Sequence, residues 1–271
     1  MKVSDVKELH AADRCWKGIG NKMAVTIKSQ REIEIMREAG KILAFVHEEL
    51  EKMVKPGIST MDLNKKADEL MRKYGCIPSF LGYNGYPASI CVSMNDEVIH
   101  GIPDKKRILQ EGDIVSIDAG VVLKGYQSDA ARTWAVGEVS EKAKRLIRTA
   151  EESFFEGIKF AKAGGHLFDI SAAVEEKVVA NGFSCVRDFV GHGIGTEMHE
   201  DPQIPNFRQR RRGMKLVPNM TICVEPMINV GKYGVCMLDD DWTIVTEDGS
   251  LSAHYENTVL ITEGEPEILS L

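Results

Sequence analysis

The sequence lacks long apolar runs, and no stretch of its 271 residues approaches the roughly 18 apolar residues that a membrane span needs. Residues 1–22 are polar and mixed in charge, without the apolar centre of a signal peptide. We therefore expect a cytoplasmic protein without a membrane partner. Cysteine is sparse as well: the six cysteines form no CxxC pair, which is typical of reduced, scattered thiols rather than of a disulfide framework.

Positive charge is also in deficit, since the formal net charge is -7. An acidic chain has no general attraction to nucleic acid or anionic membranes, so neither is expected as a main partner. One basic run, Arg208–Arg212, predicts a solvated loop, with a ribosome or RNA contact as the alternative. The 43% hydrophobic and 28% charged residues are typical of a globular protein that buries a large core without metal or disulfide staples.

An internal repeat relates the two halves of the chain at an offset of 107 residues. Residues 55–63 align with residues 162–170, with lysine, glycine and aspartate at equivalent places, and Gly75 matches Gly182. The same offset relates Asp118 to Glu225. The chain therefore reads as two similar halves related by a pseudo-twofold axis.

The hydrophobic pattern predicts a pair of helices and then strands in each half. Ser29 and Glu32 form a capping box before the first helix, which runs to about Met53. Thr60 is the expected cap of the second helix, which ends before Gly75. The second helix pair is expected at residues 141–161 and 168–181. The predicted strands cover residues 90–94, 113–123, 126–136, 184–188, 221–228 and 253–261. Helices packed against antiparallel strands make an α+β fold, and the cleft between its halves is the natural place for a site.

Two aspartates flank a predicted hairpin turn at Lys124-Gly125. Asp118 ends an apolar run before the turn, and Asp129 follows the turn. Folding of the hairpin makes them diagonal neighbours across two strands. Two buried carboxylates repel each other unless cations neutralise them, so this pair predicts a cation site.

Two glutamates extend this pattern into the second half. Glu225 lies at the end of an apolar strand and Glu256 just before another, where an acidic side chain is costly without partners. Each acid alone could be salt-bridged or lie at a strand end, but four from matching halves indicate a shared cation site. His192, in the glycine-dense Gly-His-Gly-Ile-Gly, can approach a metal closely. Such a set suits Mn(II), Fe(II), Co(II) or Zn(II). Two-metal chemistry then leaves amide and phosphoester hydrolysis both open.

The ordered motifs around these five residues resemble those of type I methionine aminopeptidases. They are Ile-Asp118-Ala-Gly, Ser-Asp129-Ala-Ala-Arg-Thr, Gly-His192-Gly-Ile-Gly, Glu225-Pro-Met and Ala-His-Tyr-Glu256-Asn-Thr. Those enzymes have the pita-bread fold of the M24 metallopeptidases, so the resemblance implies that fold and a single catalytic domain over residues 23–271. The preceding residues 1–22 are then a flexible or docking extension. The stretch from His199 to Glu225 is too short for the helical insertion of type II enzymes.

The resemblance also implies roles for individual residues. The five motif residues would hold two divalent ions, with Asp129 and Glu256 bridging and Glu225 carrying a proton. His199 would contact the scissile amide, and His100 its nitrogen side. The methionine pocket is expected at Tyr83, Tyr86, Cys91, Met198 and Trp242. Four other histidines are interpreted as ordinary core or surface residues: His10, His47, His166 and His254.

The implied substrates are nascent polypeptides with a free N-terminal methionine and a small second residue, acted on by a monomer. Three alternatives stay open at this point. The first is another peptidase of the fold, a prolidase or aminopeptidase P, although these usually carry a large N-terminal domain. The second is a non-catalytic binding protein on the same fold. The third is a two-metal phosphoesterase, against which the chain offers no P-loop and only Arg132 near the acids.

Overall fold

The computed structural model describes residues 25–271, so the expected extension at residues 1–22 lies outside the described range. Its helices are α1 (Gln30–Glu51), α2 (Thr60–Lys73), α3 (Glu141–Ile158) and α4 (Leu167–Ala180), and a 3₁₀ turn spans Tyr83–Gly85. No helix in this part of the chain is long and apolar enough to cross a membrane.

The strands are short except for one long hairpin, β4–β5. They are β1 (Ile77–Pro78), β2 (Ile90–Met94), β3 (Glu97–Ile99), β4 (Ile114–Leu123), β5 (Tyr126–Ala135), β6 (Ser184–Cys185), β7 (Gly191–Gly193), β8 (Glu200–Ile204), β9 (Thr221–Val224), β10 (Met227–Asn229), β11 (Val235–Met237), β12 (Ile244–Thr246), β13 (Ser252–His254), β14 (Glu256–Leu260) and β15 (Glu267–Ile268). The predicted strands at residues 90–94, 113–123 and 126–136 match β2, β4 and β5 within one residue.

A nine-stranded sheet forms the centre of the molecule, in the order β1-β4-β5-β14-β9-β7-β8, with β2 also on β4 and β15 also on β14. Every pairing in it is antiparallel. Two smaller sheets, β13-β10-β6 and β11-β12-β3, lie beside it. Adjacent β5 and β14 come from different halves of the chain, so the sheet is continuous across the repeat. The predicted α+β architecture is confirmed.

The repeat at an offset of 107 residues recurs in the secondary structure. When 107 is added, the first and last residue numbers of α2 become those of α4, and those of β1 become those of β6. The last residue of α1, Glu51, corresponds in the same way to Ile158, the last residue of α3. Gly75 and Gly182 end equivalent helices with φ angles of 78° and 77°. Such positive angles favour glycine, which explains why that residue recurs. The two predicted halves are therefore real structural units.

Capping residues fix where the helices begin. Ser29 and Glu32 form the expected capping box of α1. The predicted cap of α2 was wrong by one residue: Ser59, not Thr60, accepts from the backbone of Asp62, whose carboxylate accepts in return from the Ser59 backbone. Thr60 is instead buried in the first turn and donates to the Asp104 carbonyl. The reciprocal pair with Asp62 decides between the two adjacent hydroxyls.

Each helix pair covers its own half of the central sheet. The first core packs α1 and α2 on β2 and β4, with fully buried residues that include Leu43, Leu63, Ile90 and Ile117. The second packs α3 and α4 on β9 and β14, with Leu146, Phe154, Ile170 and Val259. Each such side chain contributes about 1.5–3 kcal/mol on burial, so both halves are held firmly around the cleft between them.

Two predicted strands are broken, and the breaks shape the cleft. The run 221–228 divides into β9 and β10 at Glu225-Pro226, and the run 253–261 divides at Tyr255. At both breaks the chain passes between the nine-stranded sheet and the sheet β13-β10-β6. Proline cannot donate a ladder hydrogen bond, which accounts for the first break. The predicted run 184–188 is also shorter, since only Ser184–Cys185 pairs.

Candidate functional site

Asp118 and Asp129 lie side by side on the long hairpin. Its turn is Lys124-Gly125, with φ angles of 50° and 85°, typical of tight hairpins. Asp118 pairs with Ala131, and Asp129 pairs with Gly120, so the aspartates are two residues apart in register. Side chains two residues apart share a face of the sheet. This is the diagonal arrangement expected from the sequence.

His192 brings the remaining acids to the same point. It lies on β7, next to β9 and the β9–β10 break that carries Glu225. Its Nε2 atom is 3.5 Å from Glu225 Oε1, 4.0 Å from Asp129 Oδ2 and 4.0 Å from Glu256 Oε1. The structure therefore gathers the five predicted metal-ligand residues from four strands and a strand break of both halves.

Burial dominates the electrostatics of this cluster. It raises the pKa of Asp129 to about 7. Burial, and then the charges of neighbouring acids, raise the pKa of Asp118, Glu225 and Glu256 well above the usual range. Burial lowers the pKa of His192 to about 4, which keeps its imidazole neutral. Four carboxylates in one pocket must therefore take up protons or share cations.

Divalent cations fit this donor set. Within residues 25–271, Asp118 Oδ1, Asp129 Oδ1 and Glu256 Oε1 are buried without a hydrogen-bond partner. Two atoms that bind one ion at about 2.0–2.2 Å lie no more than roughly 4.4 Å apart, and the distances to His192 Nε2 satisfy this limit. The Nδ1–H of His192 donates to the Gly193 carbonyl at 2.8 Å, which leaves the Nε2 lone pair facing the acids. Oxygen and imidazole ligands suit Mn(II), Fe(II), Co(II) or Zn(II).

Two residues that we did not predict belong to the same cluster. Ligand atoms of Asp129, His192, Cys223 and Glu256 lie within 4.8 Å of one another, as do those of Glu225, His254 and Glu256. From the sequence, Cys223 is expected to be one of the scattered reduced thiols. Burial raises its pKa well above the usual range, which keeps it protonated.

His254 had been interpreted as an ordinary core or surface histidine. Its Nε2 atom is buried without a hydrogen-bond partner in the described chain, 3.9 Å from Glu225 Oε2 and 3.8 Å from Glu256 Oε2. His254 ends β13 and Glu256 begins β14, and the break at Tyr255 places them in different sheets, so their spacing in the sequence does not predict this contact. His47, by contrast, is a core residue bonded to the Ala130 carbonyl, as interpreted from the sequence.

A cavity of about 380 Å³ opens on the acidic cluster. All the residues predicted to bind substrate line it: Tyr83, Tyr86, Cys91, His100, Met198, His199 and Trp242. Phe80 and Phe189 add apolar surface that the sequence did not assign. The rings of Tyr86 and Trp242 pack edge to face at 5.0 Å. The cavity thus has an acidic end and an aromatic, sulfur-containing end.

His199 and His100 lie between these two ends. The Nδ1 atom of His199 is hydrogen-bonded to the Tyr83 hydroxyl at 2.8 Å, and its ring centroid is 4.4 Å from that of His192. Burial, followed by the neighbouring His192 and His100, holds the pKa of His199 well below its usual range. Burial alone lowers the pKa of His100 to about 4. Both imidazoles are therefore neutral and available for hydrogen bonds in the cavity.

Known proteins resemble this chain over nearly its whole length. The model of metallopeptidase family M24 matches residues 34–263. The methionine aminopeptidase of Clostridium acetobutylicum is 56% identical over 247 residues, covering 91% of this chain and 99% of the relative. A solved methionine aminopeptidase from Thermotoga maritima has a TM-score of 0.89 and 45% identity, covering 91% and 99% of the two chains.

Another branch of the fold is more distant. The Xaa-Pro dipeptidase of Bacillus anthracis has a TM-score of 0.73 and 27% identity, covering 91% of this chain and only 62% of the other. The resemblance to methionine aminopeptidases and the pita-bread architecture are thereby confirmed. The family match spans the acidic cluster and the cavity alike, and the chain belongs to metallopeptidase family M24.

Proposed function

We propose that this protein removes the N-terminal methionine from polypeptides by hydrolysis of the first peptide bond. The observation that carries the proposal is one cavity of about 380 Å³ with a buried carboxylate cluster at one end and aromatic and sulfur-containing side chains at the other. Relatives named methionine aminopeptidase, at 56% and 49% identity, support the same activity. We further propose that the protein acts in the cytoplasm on nascent chains, with a preference for a small second residue.

Two divalent metal ions are the cofactors that the acidic cluster suits. Asp118, Asp129, His192, Glu225 and Glu256 would hold them. When bound, such ions activate a water molecule and polarise the carbonyl of the scissile amide. The charge of the ions would offset the burial and the mutual repulsion that raise the pKa of Asp118, Glu225 and Glu256.

The free α-amine of the substrate accounts for the specificity for a chain end. An ammonium group is attracted to the buried acidic cluster, which lines the cavity. A blocked terminus has neither the charge nor the small size of this group. An internal peptide bond would need the chain to continue through the acidic cluster. The arrangement therefore favours an aminopeptidase over an endopeptidase.

Side chains of the cluster and the cavity would manage the proton and the developing charge. With the cations bound, Glu225 would be an ionised carboxylate, suited to take a proton from the attacking water and return it to the leaving amine. His199 is oriented by the Tyr83 hydroxyl and is suited to donate to the carbonyl oxygen of the scissile amide. His100 is suited to contact the nitrogen side of the same bond.

The far end of the cavity suits an unbranched thioether. Tyr83, Tyr86, Cys91, Met198 and Trp242 present rings and sulfur atoms there. Sulfur packs favourably against aromatic edges, with a gain of about 0.3–1.5 kcal/mol per contact. A charged side chain would lose its hydration in this apolar end without finding an ion pair. Methionine meets both requirements.

Two further expectations remain predictions. Arg212 of the basic run pairs with Asp169, whereas Arg210 and Arg211 are exposed. A ribosome contact through these two arginines is the first of the predictions. The protein is expected to be a monomer.

The experiment that tests the function uses metal-free protein supplied in turn with Mn(II), Fe(II), Co(II) or Zn(II). A Met-Gly-Met-Ala peptide is the substrate, with a Gly-Pro dipeptide and a phosphoester as alternatives. We expect release of free methionine that depends on the added metal. Cleavage only before proline would instead indicate a prolidase, and phosphoester cleavage a phosphoesterase. No turnover despite bound metal would indicate a binding protein on this fold.

A further inference from the structure

A buried ion pair lies beside the loop that carries His199. Lys28 Nζ is 2.7 Å from Glu200 Oε2, and their side chains are 5% and 4% exposed. The next most buried pair of this kind among residues 25–271, Arg107 with Glu97, is 25% and 18% exposed. A fully buried lysine and glutamate are uncommon, since each loses its hydration. The presence of this pair is therefore not explained by ordinary surface charge.

The pair connects three separate segments. Lys28 belongs to the extended segment before α1, and its backbone N–H donates to the Asn219 carbonyl at 2.9 Å. The Thr26 hydroxyl donates to the same Glu200 oxygen at 2.5 Å, and Lys28 Nζ also contacts that hydroxyl. The other oxygen, Oε1, accepts from the Glu197 backbone at 3.4 Å. Glu200 is thus held from the segment before α1 and from within its own loop.

The loop above the ion pair has no spare space. A Cβ atom at Gly195 would lie 2.6 Å from Lys28 Cε and closer still to Glu200 Oε1. The Gly195 carbonyl accepts from the Gln127 backbone at 2.8 Å, on the strand that also carries Asp129. Such tight packing holds the loop in a single conformation as long as the ion pair is intact.

We infer that Lys28 and Glu200 are positioning residues for His199. Glu200 is the first residue of β8 and directly follows His199. His199 ends the bend over residues 195–199 that leads into β8, so fixing the Glu200 carboxylate in the interior also fixes the backbone from which the His199 imidazole enters the cavity. The Tyr83 hydroxyl then holds the imidazole from the cavity side, at 2.8 Å. The inference rests on the proposed function, in which His199 contacts the scissile amide.

Charge is the part of the pair that this role requires. A lysine and a carboxylate form a hydrogen-bonded ion pair with a fixed direction, whereas methionine and glutamine in the same places cannot form one. Removal of one charge leaves the other buried and uncompensated, and the protein loses stability. Removal of both relieves that penalty without restoring the directional contact. Stability and turnover should therefore separate in a double variant.

The test compares Lys28→Met, Glu200→Gln and the double variant Lys28→Met/Glu200→Gln in the full chain. Each is assayed for kcat and KM on Met-Gly-Met-Ala, for bound metal and for thermal midpoint. We expect both single variants to lose stability and at least 10-fold in kcat. KM should change less than threefold and the metal content should match wild type. The double variant should regain most of the thermal midpoint while kcat stays at least fivefold low.

Arg37→Met is the matched control. Arg37 makes an ion pair with Glu267 at 2.6 Å, close to the 2.7 Å between Lys28 and Glu200, but it does not touch the His199 loop. We expect its kcat to stay within twofold of the wild-type value, whether or not its stability changes. Thr26→Val removes only one hydrogen bond from Glu200 and covers the case in which a single charge variant does not fold. We expect it to lower kcat about threefold at unchanged metal content.

A direct readout of His199 completes the experiment. The imidazole ¹H–¹⁵N resonances of His199, assigned with His199→Ala, should move in the double variant and not in Arg37→Met. A double variant whose kcat recovers together with its thermal midpoint would overturn the inference, because the pair would then be structural only. Loss of metal in Thr26→Val would overturn it as well. Failure of wild-type protein to cleave the peptide would instead refute the proposed function.

Discussion

His192 and His254 face different oxygens of the same carboxylate. Nε2 of His192 lies 3.5 Å from Oε1 of Glu225, and Nε2 of His254 lies 3.9 Å from Oε2. The same division holds at Glu256, where the separations are 4.0 Å and 3.8 Å. The two glutamates therefore lie between two buried imidazoles, although only one of these residues was expected from the sequence.

His254 should support the metal centre. We expect His254→Leu to weaken metal binding by about 10- to 100-fold, the usual cost of losing a group that contacts metal ligands. Calorimetric titration of metal-free protein measures the affinity. His254→Gln keeps a polar group of similar reach and is expected to retain more affinity than His254→Leu. Equal affinity in all three proteins would rule out this role.

Asp129→Asn should abolish turnover. Asp129 lies at the centre of the cluster, next to His192 and Asp118, and an amide cannot supply the negative charge of a shared ligand. We expect kcat to fall by at least about 10²-fold, within the range seen for loss of a single electrostatic group. Peptide hydrolysis with metal in excess checks this. Wild-type turnover in a metal-loaded variant would contradict the assignment.

The same variant should change the pH dependence of stability in metal-free protein. Burial raises the pKa of Asp129 from 3.8 to about 7 in the folded state. The stabilisation from this shift is complete below the unfolded value and is lost as pH rises through about 7. Asn carries no such charge, so Asp129→Asn should gain stability relative to wild type as pH rises from 4 to 8.

Thermal melts of both metal-free proteins at pH 5 and pH 8 measure this difference. Buried histidines titrate in both proteins and largely cancel in the comparison. A gain at pH 8 no larger than that at pH 5 would mean that Asp129 is ionised in the folded protein without cost. Addition of Mn(II) at pH 8 should stabilise wild type more than the variant, because metal binds the folded state.

His199→Ala should separate catalysis from metal binding. The imidazole lines the cavity and is hydrogen-bonded to Tyr83, while His192 faces the acids. We expect unchanged metal content and a fall in kcat of roughly 10²-fold, as is typical for a lost hydrogen-bond donor in the transition state. Metal analysis beside kinetics checks both statements. Loss of metal would instead make His199 a ligand.

An N-acetylated Met-Gly-Met-Ala peptide should not be cleaved. Acetylation removes the positive charge that the buried acids attract and enlarges the group that must fit beside them in the cavity. Competition with the free peptide measures whether the blocked peptide binds at all. Equal cleavage rates for the two peptides would show that the amine is not recognised.

Much of this structure could be predicted from local sequence patterns. The hairpin around Lys124-Gly125 follows from a glycine that tolerates positive φ between two alternating strands, and it fixes the relation of Asp118 to Asp129. The repeat predicted equivalent helices because glycine recurs at each helix end. The acids stood out because charge inside apolar strands is costly without a partner.

The cap of α2 and the strand breaks needed more than local pattern. Ser59 and Thr60 are both good caps by type, and the reciprocal bond to Asp62 selects one. The apolar run through Tyr255 has the composition of a continuous strand, whereas Pro226 marks the break after Glu225 in the sequence itself. The chain divides there because the two segments pair in different sheets.

The sequence by itself predicted the acidic cluster, since four acids in or beside apolar strands and a histidine among glycines already indicate a shared cation site. Only the tertiary structure decided which further groups support it. Lys28 and Glu200 are 172 residues apart, and their contact exists only after both halves have packed. His254 likewise meets Glu225 only because two strand breaks bring separate segments to one corner. Contacts at such separations depend on the packing of the whole chain, so no local pattern in the sequence encodes them.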